Sequence, residues 1–285
     1  LPLPTRPHGL FAEEGGGLLV VGVRPGGWML RCDGDGKLMQ QLRVDEEKSE
    51  TRLNGHAIVS RNGELIYTTE TDMKTGRGKI GVRDRQSLRK LDEWESAGLE
   101  PHQLLLDADG HLMVANGGIP RNAADKKYDL QRMDSSLVRL DAQNGHLLRK
   151  WQLDDRRLSL RHLAWSNDQA YLGIAMQAEH DDATKRAAAP ILALLDGDEL
   201  RLPTLASDGI GYAGDISAAT NGGFALSSNQ AGLAQLWYPG APDKLTPIVE
   251  LQEAYALASW PGPNPGGGVL ISTAPGLVRW HPSAK

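Results

Sequence analysis

The 285-residue chain predicts an all-β fold, a β-propeller of four-stranded antiparallel blades with six blades in the chain. Three observations carry that expectation. A tripeptide ending in histidine recurs near the start of four successive segments: Arg6-Pro7-His8, Asn54-Gly55-His56, Glu100-Pro101-His102 and Leu160-Arg161-His162. Each segment then holds short apolar runs separated by Gly, Asn and Asp turns, at a period of about 40 to 50 residues, which is that of propeller blades. No segment sustains the i, i+3, i+4 apolar spacing of a helix over two turns.

The first segment reads as strands at 8–12, 18–23, 28–32 and 38–44, broken by Gly-rich and Asp-Gly turns. The second repeats the plan at 57–60, 65–69, 79–83 and 88–94. Leu88, Leu91 and Trp94 also fit one helix face, but repeat position makes that run a strand. The third has strands at 103–106, 112–116, 136–140 and 146–153, with an insertion before the third strand. The fourth has them at 163–165, 170–176, 191–195 and 200–202, again with an insertion. The fifth has them at 215–219, 224–228, 234–238 and 246–251. The sixth has only three, at 256–260, 269–273 and 277–280, with a Pro/Gly-rich turn through Gly268 between the first two. Residues 1–5 read Leu-Pro-Leu-Pro-Thr and resemble 200–204, Leu-Arg-Leu-Pro-Thr, at a fourth-strand position. They are therefore expected to pair with the last blade and close one domain over 1–285, removing its exposed edges.

Composition narrows the partners. Lys plus Arg is 31 and Asp plus Glu is 36, a net charge of −5. That gives no basic footprint for nucleic acid or an anionic membrane surface. No apolar run approaches the ~18 residues of a membrane helix, so no membrane-spanning segment is expected. The chain begins Leu1-Pro2 without an initiator Met or signal segment, as a processed or trimmed protein would. Cys32 is the single cysteine, which excludes a disulfide framework or a cysteine-cluster metal site and reads as a buried thiol on a strand. The sequence holds no nucleophile elbow, phosphate loop, dinucleotide fingerprint or His-Glu-x-x-His.

In a blade, the loop leading into strand one and the loop joining strands two and three emerge on the same face. His8, His56, His102 and His162 fall at the start of the innermost strands, and Arg24, Glu70, Asn116, Gln177 and Ser228 at the ends of the second strands. The long loops at 119–133 and 177–189 share that face, where binding sites concentrate on regular scaffolds. Four imidazoles from adjacent blades suit copper, zinc or iron(II), with Glu70 and Gln177 completing or orienting the set. The competing reading is structural, because a Gly-His pair before an inner strand serves as a turn device in other propellers. Arg6, Arg24 and Arg161 offer guanidinium groups to an anionic ligand or form ordinary ion pairs. His111, His146 and His281 read as solvated, and the seven Trp as packing between blades.

Thr69-Glu70 with Gly76-Arg77-Gly78-Lys79-Ile80-Gly81-Val82, Pro101-His102, Val114-Ala115-Asn116-Gly117-Gly118-Ile119, Met133 before Ser135-Ser136-Leu137, and Arg161-His162-Leu163-Ala164 together resemble the bacterial domain-of-unknown-function family 1513. The resemblance implies an exported, periplasmic β-propeller, whose relatives look seven-bladed, encoded beside haem-containing and iron-regulated proteins. It thereby implies iron or copper in preference to zinc. The expected function is binding of a transition metal, or a small metal-bearing ligand, at the channel mouth through His8, His56, His102 and His162. A metal-dependent enzyme using that site, and a non-catalytic scaffold docking a protein partner through 119–133 and 177–189, remain open.

Overall fold

The computed structural model describes residues 2–47, 50–203, 208–260 and 268–283; Leu1, Thr204 and the turn expected at 261–267 lie outside the described residues. The fold is all-β, a six-bladed propeller whose antiparallel sheets each follow chain order. Two compact units divide it, residues 1–150 and 151–285.

The first unit contains three four-stranded sheets. They are β1 (Pro7–Ala12), β2 (Leu18–Gly22), β3 (Trp28–Cys32) and β4 (Leu38–Arg43); β5 (Thr51–Val59), β6 (Leu65–Asp72), β7 (Arg77–Asp84) and β8 (Lys90–Leu99); and β9 (Pro101–Leu106), β10 (Leu112–Asn116), β11 (Ser136–Leu140) and β12 (Leu147–Trp151). The second unit begins with β13 (Leu158–Trp165), β14 (Tyr171–Ala178), β15 (Leu192–Asp196) and β16 (Glu199–Arg201). A short helix, α1 (Ala183–Ala187), lies in its insertion, N-capped by Asp182. Then come β17 (Asp215–Ala218), β18 (Phe224–Ser228), β19 (Leu233–Trp237) and β20 (Thr246–Glu250), and a sheet of β21 (Leu257–Trp260), β22 (Gly268–Thr273) and β23 (Gly276–Trp280). Residues 2–6 carry no strand, and Thr5 Oγ1 accepts the indole N–H of Trp28 at 2.7 Å.

Packing between successive sheets explains the composition of the middle strands. Ile66 on β6 joins Leu19, Val21, Met29 and Leu53 on one side. Its neighbour Tyr67 joins Ile80, Leu104, Val114 and Val138 on the other. Consecutive residues therefore face opposite cores, and a strand buried on both faces reads as a continuous apolar run and not as an alternation. The second unit does the same with Leu192, Phe224, Leu226 and Trp237, and with Ala225, Ala234, Val269 and Ile271. Cys32 is buried on β3. Leu88, expected within a strand, is instead a fully buried turn residue at φ 61°, and the strand begins at Lys90.

One buried ionic network runs through the second sheet. Glu70 and Arg83 are both fully buried and 2.9 Å apart, with Lys90 2.5 Å from the other Glu70 oxygen and Glu47 2.8 Å from Arg83. Thr68 Oγ1 donates to Glu70 at 2.7 Å. Burial alone would raise the Glu70 carboxyl, but the charges of Arg83 and Lys90, with hydrogen bonds from Lys90 and Thr68, outweigh it and hold the group below its ordinary value.

Two stability predictions follow from these contacts. Ile80→Ala removes a fully buried side chain and is expected to cost about 2–5 kcal/mol in denaturant unfolding, whereas Leu91→Ala, 55% exposed, stays within about 0.5 kcal/mol. Glu70→Gln strands the Arg83 charge and is expected to cost about 3–5 kcal/mol near neutral pH. Because the folded carboxyl is lowered, its contribution is full above the ordinary value of 4.5 and fades as pH falls through the lower folded value. Unfolding measured across that window should show an acid-side loss in the wild type that is smaller in the variant.

Candidate metal centre

The histidine-bearing strands share a departure from regular pairing. On β1, Pro7 pairs with Gly22 and Gly9 with Val21, which leaves His8 as the extra residue. On β5, Leu53 pairs with Glu70 and Ala57 with Thr68, so Asn54, Gly55 and His56 together oppose Thr69. On β9, His102 and Gln103 oppose Ala115, and on β13, Arg161 and His162 oppose Ala175. Each histidine thus sits in a β-bulge, which re-aims side chains out of the strand's alternation.

In the first unit the bulges bring three rings together. The His8 and His56 centroids are 4.8 Å apart with planes at 85°, His8 and His102 5.3 Å at 78°, and His56 and His102 5.1 Å at 58°. One ring nitrogen from each lies within 4.8 Å of the others. His56 and His102 are buried and His8 half-buried.

Neighbouring residues make that approach possible. A Cβ on Gly9 would lie 2.2 Å from the Gly55 carbonyl oxygen, and one on Gly55 2.4 Å from Cδ2 of His8. Gly55 also adopts φ 106°, a region L side chains rarely enter. Gly55 lies inside β5 and provides the surface on which the His8 ring rests. The inner strands are tied at this level by Asn54 Nδ2, which donates to the Pro101 carbonyl at 2.8 Å, and by the fully buried Thr69, which donates to the His102 carbonyl at 3.0 Å.

In the second unit His162 occupies the equivalent bulge, with Nδ1 3.1 Å from Asp215 Oδ1. Both Asp215 oxygens are held by main-chain donors, Ile216 N–H and Leu257 N–H, each at 2.8 Å. Arg161 is buried beside His162. Burial, and then the hydrogen bond and charge of Tyr255, push the Tyr212 hydroxyl well above the usual phenol range, against the charge of Arg161 and a hydrogen bond from Gln177.

The other residues singled out by sequence are committed elsewhere. Glu70 belongs to the Arg83–Lys90 network. Arg24 pairs with the buried Glu100 at 2.5 Å, and Arg121 holds the same oxygen at 2.7 Å. Asn116 is fully buried and donates to the Ser96 carbonyl at 2.9 Å. Gln177 donates to the Ala213 carbonyl at 3.2 Å. Arg6 is exposed, and its carbonyl accepts Val23 N–H. In the loops, Ile119 and Met133 are buried, and His180 bonds Asp155 at 2.8 Å. Asn54, Thr69, Glu100, Arg121 and Asp215 were not picked out as site residues by sequence, although Asn54 and Glu100 stand in the recurring tripeptides, Thr69 stands in a family motif, and Asp215 begins the fifth inner strand where the earlier segments place histidine.

A cleft of about 860 Å³ lies at the other end of β1 among the hairpin turns. Its Arg31 is bound to Glu13 at 2.6 Å and to the Arg85 carbonyl at 2.7 Å, so its main cation is already satisfied.

No curated protein matches the chain. Among solved structures it is similar to a catalytically inactive virginiamycin B lyase from Staphylococcus aureus with quinupristin, at 12% identity and TM-score 0.67, covering 98% of this chain and 81% of that one. A selenomethionine form of the same lyase gives 12% and 0.63, over 99% and 86%, and a streptogramin B lyase gives 14% and 0.53, over 98% and 94%. At this identity the likeness is one of fold. No helix among the described residues is long and apolar enough to cross a membrane. The family described as "Protein of unknown function (DUF1513)" matches residues 1–281, and the chain belongs to that family.

Proposed function

We propose that the protein binds a transition-metal ion, iron or copper, through His8, His56 and His102 of the first unit, and that His162, at the equivalent place in the second unit's repeat, is a metal ligand as well. The observation that carries the reading is the convergence of three imidazoles, from three separate bulges, with nitrogens within 4.8 Å of one another. Metal–nitrogen bonds of about 2.0–2.1 Å place ligand nitrogens about 3 Å apart, a closure that side-chain rotation supplies. The proposed donor set is nitrogen only, since the Glu70 oxygens are held by Arg83 and Lys90 and Cys32 lies on β3. Imidazole suits copper, iron(II) and zinc alike. The choice of iron or copper, and a periplasmic location, rest on the family resemblance alone.

The structural alternative makes a distinct claim, that the rings only pack. Purified protein equilibrated with copper(II), or anaerobically with iron(II), at micromolar supply is expected to retain one equivalent by elemental analysis. His102→Ala should weaken retention by more than the about 10- to 100-fold typical of changes outside the ligand set. A wild type that retains no metal would defeat the reading. Gly55→Ala forces its Cβ into the His8 ring and should also weaken binding. That loss should largely vanish in a His8→Ala background, which double-mutant titration checks.

A further inference from the structure

We infer that Asp215 is a positioning residue for His162: it fixes the proton on Nδ1 and leaves the Nε2 lone pair as the ring's donor to a metal. The assignment deepens the metal reading and rests on it for the role of Nε2. Its geometric part, the choice of tautomer, stands without a metal.

Asp215 opens β17, the inner strand of the fifth sheet, at the place where four earlier sheets carry histidine. The local backbone pattern is kept there: Asp215 pairs with Ser227 and Gly214 N–H donates to the same Ser227 carbonyl at 2.7 Å, so two residues face one, as Arg161 and His162 face Ala175. What changes is the side chain, and the Asp215 carboxylate faces His162, with Oδ1 3.1 Å from Nδ1.

The carboxylate is not free to follow the ring. Oδ1 also accepts Ile216 N–H and Oδ2 accepts Leu257 N–H, both at 2.8 Å, so the two oxygens are anchored to β17 and β21. An anchored acceptor dictates where the neutral ring keeps its hydrogen, because the hydrogen bond at one imidazole nitrogen decides the state of the other. The side chains are 12% and 17% exposed, a setting where a charge-assisted hydrogen bond holds orientation against water. A carboxylate behind a metal-bound imidazole also makes it a stronger donor and favours the higher oxidation state of a redox metal.

Two measurements test this, with Asp215→Ala and Asp215→Asn checked for folding by circular dichroism. In metal-free protein, ¹⁵N-correlated NMR of the His162 ring should show the Nδ1–H tautomer in the wild type. It should remain in Asp215→Asn, which keeps an acceptor oxygen, and be lost in Asp215→Ala. An Nε2–H tautomer in the wild type, or no change in Asp215→Ala, would overturn the assignment. In protein loaded with copper(II), Asp215→Ala should weaken metal affinity about 10- to 100-fold. Both variants should raise the reduction potential of the bound metal, because each removes the negative charge. Unchanged affinity and potential in protein that does bind copper would overturn the metal-directed half. If the wild type takes up no metal, the metal reading falls and the tautomer alone decides what Asp215 does.

Discussion

Everything proposed for this protein depends on one local constraint, an inner strand that carries more residues than its partner. In a regular β-strand, side chains alternate between the two faces, and here both faces are filled by the cores between successive sheets. A polar ring placed in that alternation would be driven into apolar packing. The bulges at His8, His56, His102 and His162 relieve the conflict by taking these residues out of the two-residue period. The ladder is interrupted only over one to three residues, and apolar packing resumes soon afterwards, as at Leu104 and Leu163.

Bulging alone would scatter the rings. What gathers three of them is the close approach of β1, β5 and β9, and that approach depends on missing atoms and on well-placed amides. Gly9 and Gly55 lack the Cβ atoms that would hold the strands apart. Asn54 and Thr69 then hydrogen-bond the carbonyls of Pro101 and His102 across to the next inner strand. Each such bond is worth about 1 kcal/mol net, but an unmet carbonyl at this depth costs more, so the links select one arrangement of the strands. The rigidity that a metal-ligand set needs is thus supplied by side-chain donors bonded to main-chain carbonyls.

The sheet count and nearly every strand were legible in the sequence, because turn residues at hairpin positions and apolar runs of strand length are local signals. Leu88 was misplaced for a physical reason: a buried leucine at φ 61° looks identical in sequence to the first residue of a strand. The site was legible only where the repeat exposed it. His56 announced itself by position, whereas the partnership of Glu100 with Arg24 and Arg121 joins residues from distant segments, and no spacing rule connects them. Glu70 shows the limit from the other side. An acid at the end of a second strand reads as a candidate ligand, and the Arg83 and Lys90 charges that hold its oxygens come from positions no spacing rule connects to it.

Repeat position, then, identifies where chemistry is allowed but not which chemistry occurs there. Asp215 and His162 share a place in the blade plan and a two-against-one pairing with the neighbouring strand, and what separates them is the side chain. The carboxylate of Asp215 lies 3.1 Å from the His162 ring and accepts two main-chain N–H groups. One change of side chain is therefore enough to divide equivalent positions into a ring and the group that holds it. Such a division lets a repeated scaffold build an asymmetric site without altering its sheets, since it changes one side chain and leaves the cores on either side filled.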